Sequence, residues 1–268
     1  MRLPVNSFVS SKSVALMISR HSIAFSAIAM GIAAFASIGT ASASVTLPNT
    51  RVIYDGGARE QSLQFTNQDD GPSVMQVWVD SGDEHSTPKT ANAPFIVTPP
   101  VFRIEPHAGQ TARLVFTGAD LPQDRESVFY LNTLQVPSAN AAYADQNQMM
   151  VMLRNRLKIF YRPRGIEGRP QNAADKLAFS VLEDGKRTQI AVSNASGYHV
   201  SLVGGELACG PQTAKFSAGM IAPRSDAQWD VKGSCPASAT PARVKVHYVD
   251  DYGAFREADY PVAAGSAK

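Results

Sequence analysis

The chain is poor in the residue types that carry covalent and metal chemistry. It has two cysteines in 268 residues, Cys209 and Cys235, both in the second half. An exported chain should pair them as one disulfide, closing a loop that stabilises by about 3 kcal/mol on a chain-entropy basis. The alternative, free thiols or metal ligands, has no His or Cys neighbour to complete a site. Of five histidines, His85, His107, His199 and His247 lie beyond the N-terminal leader described below, and none are paired at metal-ligand spacing. There is no G-x-S-x-G, no phosphate-binding loop and no dinucleotide fingerprint. Glu105 and Glu126 are the nearest thing to an acid pair, and nothing in the sequence places them together. These absences point away from an enzyme, a metal or a cofactor and toward a binding protein.

Net charge is also scarce. Arg2, Lys12 and Arg20 precede an apolar, small-residue stretch from Ile23 to Ile38, and Ala41-Ser42-Ala43 follows as a cleavage signal. Residues 1–43 therefore read as a secretory signal peptide. Its removal takes the balance from 25 basic and 23 acidic residues to 22 and 23. A near-neutral chain carries no global electrostatic footprint for nucleic acid. No second apolar run is long enough to span a bilayer, so stable membrane insertion is not expected.

What remains is a series of short strands with turn punctuation and almost no helical periodicity. Val45 to Leu47 and Arg51 to Tyr54 start a first strand, turned by Asp55-Gly56-Gly57. Leu63 and Phe65 alternate with polar residues. Val74 to Val79 is apolar on both faces, so periodicity cannot choose its inward side. Pro99-Pro100 interrupts Phe95 to Ile104, which marks an edge or a strand that changes sheets. Arg113 to Phe116, Ser127 to Val136 and Met149 to Tyr161 complete a first domain, 44–163, with the strand count of an immunoglobulin-like sandwich. Residues 164–170 read as a linker. From 171 to 268 the style repeats, with strands expected at Leu177–Leu182, Gln189–Asn194, Tyr198–Leu207, Gln228–Val231, Arg243–Val249 and Phe255–Val262. The fold class is all-β, two immunoglobulin-like β-sandwich domains.

Two cations stand out at the ends of the first domain. Arg51 lies in Thr50-Arg51-Val52-Ile53-Tyr54, and Lys158 in Asn155-Arg156-Leu157-Lys158-Ile159-Phe160-Tyr161-Arg162-Pro163, just after the apolar run Met149 to Leu153. Fixed cations beside a strand with spare hydrogen-bonding capacity suit capture of an extended peptide by its terminal carboxylate.

With Gln76-Val77-Trp78-Val79, Phe95 to Arg103 and Leu121 to Ser127, and more loosely Ile221-Ala222-Pro223 and Asp251-Tyr252-Gly253, these segments resemble the periplasmic pilus-assembly chaperones of the chaperone–usher pathway. The resemblance covers nearly the whole chain after the leader. It implies a boomerang of two domains in the periplasm, binding pilin (fimbrial) subunits by donor-strand complementation and delivering them to an outer-membrane usher. It leaves self-association of the free chain open. Arg51 and Lys158 are then the anchor for a pilin's C-terminal carboxylate. Met149, Val151, Leu153, Asn155 and Leu157 match the alternating donor-strand positions. One of the two alternating sets, odd or even, is expected to face the chaperone's own core and the other the pilin. Strand parity puts Lys158 on the pleat opposite Met149, Val151 and Leu153, a conflict that a bulge or twist would have to relieve. Glu126, Arg162 and Asp251 match an inter-domain ionic brace. Usher-contact positions fall on Val74, Gln76, Thr98, Pro100, Val101 and Arg113. The short, cysteine-free segment between Pro137 and Met149 resembles the short-loop subclass. The competing reading is a secreted adhesion or carbohydrate-binding module, which would need an exposed aromatic platform around Trp78 or Trp229.

Overall fold

Strands make up nearly every regular element of the computed structural model, which describes residues 45–138, 147, 149–184, 187–210, 212–233 and 243–264. The leader at 1–43, Cys235 of the expected disulfide, and most of the short segment before Met149 lie outside the described residues.

Nine strands build the first sandwich: β1 (Val45–Thr46), β2 (Arg51–Asp55), β3 (Gln61–Asn67), β4 (Ser73–Asp80), β5 (Phe95–Thr98), β6 (Val101–Ile104), β7 (Gly109–Phe116), β8 (Ser127–Pro137) and β9 (Leu153–Arg162). One sheet has the order β1-β3-β7-β5 and the other β2-β9-β8-β4-β6. The first run of sequence is thus not one strand. Pro48 and Asn49 separate β1, antiparallel to β3, from β2, parallel to β9. The double proline does the same further on: β5 pairs with β7 in one sheet, and β6 with β4 in the other. A residue without an N–H ends a ladder cheaply, which is why the sheet changes fall there.

The inner faces follow period-two alternation wherever the sequence offers it, as with Leu63 and Phe65 against Ala112 and Leu114, all buried. In β4 the structure settles what periodicity could not. Met75, Val77 and Val79 join the core, while Val74, Gln76 and Trp78 take the outer face. An aromatic cluster closes the end of the core nearest the second domain. Tyr54 stacks on Tyr161 at 5.9 Å between centroids, and Phe95 meets Phe129 edge-on at 5.1 Å. The Tyr54 hydroxyl, buried with its ring, accepts the Phe116 amide at 3.1 Å and donates to the Ala58 carbonyl at 3.3 Å.

Two 3-10 turns, Pro170–Asn172 and Ala174–Lys176, lead into the second domain. It contains β10 (Leu177–Asp184), β11 (Arg187–Asn194), β12 (Val200–Cys209), β13 (Gln212–Ser217), β14 (Met220–Ile221), β15 (Ser225–Lys232), β16 (Arg243–Val249) and β17 (Phe255–Ala264). β13 and β14 carry weak sequence signals: β13 has only Ala214 and Phe216 as inward apolar residues, and β14 is two residues long. β13 is nevertheless important. It pairs with both β12 and β15, so the strands β12-β13-β15-β11-β10-β17-β16 form a closed ring of hydrogen bonding. Ring closure leaves β14, paired only with β12, as the terminal strand among the described residues of this domain, whereas both sheets of the first sandwich are open.

Candidate functional site

β9 presents an open edge that leads to the inter-domain cleft. β8 pairs with it along its whole length, from Gln135↔Leu153 to Ser127↔Tyr161. β2 covers the other side only from Arg51↔Lys158 to Asp55↔Arg162. Leu153 to Leu157 therefore have no second strand partner among the described residues. Burial fixes the pleat. Leu157, Ile159 and Tyr161 pack on the first core, and Arg154, Arg156, Lys158, Phe160 and Arg162 alternate on the opposite face.

This corrects two expectations about the donor segment. The strand begins at Leu153 rather than Met149, and Met149 to Met152 have no regular structure. Neither alternating set is core: Met149 is 90% exposed, Met150 48%, Val151 70%, Met152 57% and Leu153 47%. The physical reason is that β8 reaches only to Leu153 and β2 stops at Lys158, so among the described residues no strand pairs with Met149 to Met152 and the five consecutive apolar side chains stay largely exposed. No bulge brings Lys158 onto the pleat of Leu153, since the β8–β9 register is unbroken from end to end. The cation and the odd-numbered apolar residues stay on opposite faces.

Arg51 and Lys158 are direct register partners across two parallel strands. Their Cα atoms are therefore about 5 Å apart, with both side chains on the same face. Arg51 Nη1 donates to the Val249 carbonyl at 3.1 Å and to Ser201 Oγ at 3.5 Å, both in the second domain. Its Nε is buried with no acceptor among the described residues. Its guanidinium lies 6.0 Å from the centre of the Phe160 ring. Neither cation has a carboxylate within ion-pair distance among the described residues. Burial lowers the Arg51 pKa, against the opposing pull of Asp251 and Asp250. Burial likewise lowers the Lys158 pKa, and the neighbouring Arg51 and Arg156 charges add to the effect. Two desolvated like charges side by side are a standing cost that an anion would relieve.

Glu126, Arg162 and Asp251 are brought together across the domain junction. Arg162 makes a two-pronged pair with Asp251, both N–O distances 2.8 Å, and its Nε donates to Glu126. Glu126 is almost fully buried. Its second oxygen accepts the His199 backbone N–H at 2.7 Å and faces His199 Nδ1 at 3.1 Å. Burial works against the charged form of Arg162, but the hydrogen bonds and charges of Asp251 and Glu126 outweigh it and raise its pKa. Between the two sandwiches lies a cavity of about 210 Å³ lined by Arg51, Phe160, Arg162, His199 and Tyr252 among others.

The six residues mapped as usher contacts are spread over both sheets of the first sandwich. Val74, Gln76 and Val101 share the outer face of the five-stranded sheet, where Gln76 sits opposite Val101. Thr98 and Arg113 face each other on the other sheet, and Pro100 lies on the turn between. Val74 and Val101 are exposed, at 40% and 52%.

Residues 44–167 match the pili and flagellar-assembly chaperone PapD N-terminal domain, and residues 172–260 the PapD C-terminal domain. The chain belongs to the PapD-type pilus-assembly chaperones. The chaperone protein FimB/FhaD of Bordetella pertussis is 36% identical over 230 residues, covering 84% of this chain and 91% of that protein. The probable fimbrial chaperone YadV of Escherichia coli is 35% identical over 214 residues, covering 79% and 87%. The crystal structure of the YadV chaperone superposes with a TM-score of 0.69 at 32% identity, covering 82% of this chain and all of that one. The SafB chaperone solved with the SafA pilin of Salmonella enterica gives 0.66 at 26% identity, covering 83% and 98%.

Three features of the chaperone's cleft had no sequence signal. Ser201 and the Val249 carbonyl reach Arg51 across 150 and 198 residues of sequence. His199 joins the buried end of the brace, and a lone histidine before a strand gives no hint of that. The third is a polar network under the outer face. Asp80, fully buried, accepts from Arg156 and Gly82 N on one oxygen, and from Asn132 and Ser86 on the other. Burial would raise its pKa, but the Arg156 and Asn132 bonds, with Gly82 and Ser86, overcome this and hold it below the usual carboxylate range.

Proposed function

We propose that this chaperone binds pilin subunits in the periplasm by lending β9 to complete their unfinished sheet, and passes them to an outer-membrane usher. The observation that carries the reading is the free edge at Leu153 to Leu157, which ends at the adjacent cations Arg51 and Lys158. A guest strand can pair along that edge only up to Lys158, where β2 takes over. If its terminal carboxylate sits between Arg51 and Lys158, the guest strand must run in the direction of β9, in line with β2. Main-chain bonds then supply affinity, and the exposed apolar run Met149 to Leu153 supplies surface for the guest to bury. The carboxylate meets two cations that are already partly desolvated, so charge-assisted hydrogen bonds form at a reduced further cost.

Val74, Gln76 and Val101, outside the brace and the open edge, are the best-supported surface for the usher. A glycan-binding reading finds less support, because Trp78 is buried and Trp229 packs against the second core. The test is co-expression of a pilin subunit with the chain bearing Arg51→Ala or Lys158→Ala. Each substitution should leave the circular dichroism spectrum intact and cost on the order of 2–5 kcal/mol of guest binding. Full retention of the subunit by both variants rules out the carboxylate anchor.

A further inference from the structure

We propose that Arg154 is a specificity-determining contact that reads an acidic side chain on the guest strand, two or three residues before its last residue. This rests on the reading of the β9 edge given above.

Three basic residues, Arg154, Arg156 and Lys158, follow each other on the cleft face of β9. Arg156 is neutralised within the fold by Asp80 at 2.8 Å. Arg154 is exposed and has no carboxylate within ion-pair distance among the described residues. It is nonetheless held in place. Its guanidinium lies 5.1 Å from the centre of the Trp78 ring, and its Nη2 donates to Asn132 Oδ1 at 2.8 Å. Both supports are themselves fixed. Asn132 donates to the buried Asp80 at 2.6 Å, and Trp78 Nε1 donates to Ser86 at 3.1 Å. A guanidinium has five N–H donors, so a second acceptor can be taken without breaking the bond to Asn132. Its side-chain freedom is already spent, so an incoming carboxylate loses less to ordering.

The position gives the selectivity. Residue 154 lies inside the unpaired span, four residues from Lys158, or about 13 Å along the strand. Arg51 holds the place opposite Lys158, so a guest strand running with β9 ends opposite Leu157 at the latest and places its third residue before the last opposite Arg154. Ending one position earlier, it places the second there. In both registers the guest side chain concerned lies on the pleat that Arg154 occupies. Aspartate or glutamate at that position meets a rigid cation, and lysine or arginine meets repulsion.

The test uses the chain without its leader and short synthetic peptides of alternating valine and serine. These end in a free carboxylate or an amide, with one Glu or Gln walked through the C-terminal positions, and binding is read by fluorescence anisotropy at low salt. In wild type, Glu should bind about fivefold tighter than Gln at the second or third position before the last and equally elsewhere, the scale of an exposed but preorganised ion pair. Arg154→Gln should erase that difference and keep the preference for free acid over amide; Arg154→Glu should invert it toward Lys. Absence of the Glu preference in wild type, or its survival in Arg154→Gln, overturns the proposal. A Glu preference that persists while amides bind as well as acids keeps Arg154 and removes the anchor. If no peptide binds, both readings fall.

Discussion

Lys158→Met should make the free chaperone more stable while disabling it. Arg51 and Lys158 face the same way from neighbouring positions, both are partly desolvated, and neither has a carboxylate partner among the described residues. Two like charges roughly 7 Å apart in a medium of effective dielectric constant near 20 repel by about 2 kcal/mol, which sets the scale for this pair. Solvent screening of half-exposed groups reduces that to about 1 kcal/mol. Methionine keeps most of the lysine stem's packing, so little is lost in exchange. Urea unfolding at low ionic strength should therefore show a gain of about 1 kcal/mol, shrinking as salt shortens the Debye length. The pH dependence gives a second check. Because the folded-state pKa of Lys158 is depressed, the wild type carries the penalty below that pKa and is relieved of it as pH rises toward the ordinary lysine value. Lys158→Met should lack that rise. Pilin capture should be lost in the same variant. A variant that is less stable than wild type at low salt, with no sensitivity to ionic strength, would refute the claim that the anchor is a strained pair of like charges.

Arg162→Met leaves the buried Glu126 facing only His199, and should cost about 3–5 kcal/mol in denaturant unfolding; a loss below 1 kcal/mol would mean that the brace contributes no more than a surface pair. Asp80 has a depressed pKa, so its contribution is complete above the unfolded carboxylate value near 4 and disappears as pH falls through the folded value. Asp80→Asn should flatten the acid limb of the stability curve there, and an unchanged limb would assign acid lability elsewhere. Leu153→Asp, on an exposed residue, should change stability by less than about 0.5 kcal/mol yet abolish subunit binding, and retained binding would place the donor edge on another strand. Gly253 has φ +84°, and a Cβ there would sit 2.5 Å from Thr50 Oγ1 of the first domain, so Gly253→Ala should destabilise by about 1–3 kcal/mol, a shift that thermal unfolding would detect.

Much of the fold was legible because its signals are local. Alternation in Gln61 to Asn67, the turn residues after Tyr54, and the prolines at 99 and 100 each act over a few residues, and the strands fall where they point. Local signals failed where burial was decided from outside. The apolar run Met149 to Leu153 reads as a continuation of β9, but strand structure needs a neighbour to pair with, and among the described residues Met149 to Met152 have none. β13 was missed for the converse reason: a weak segment is held as a strand because it bridges β12 and β15.

The residue types at the cleft, the all-β class and the two-domain plan were set by sequence, since composition, periodicity and breakers are properties of the chain alone. Which cations stand unopposed was decided only by the tertiary structure. Arg156 and Arg162 are matched by carboxylates far away in sequence, at Asp80 and Asp251, while Arg51, Arg154 and Lys158 have none among the described residues. Charge pairing depends on distance in space, and strand register and domain packing set that distance after the chain has folded.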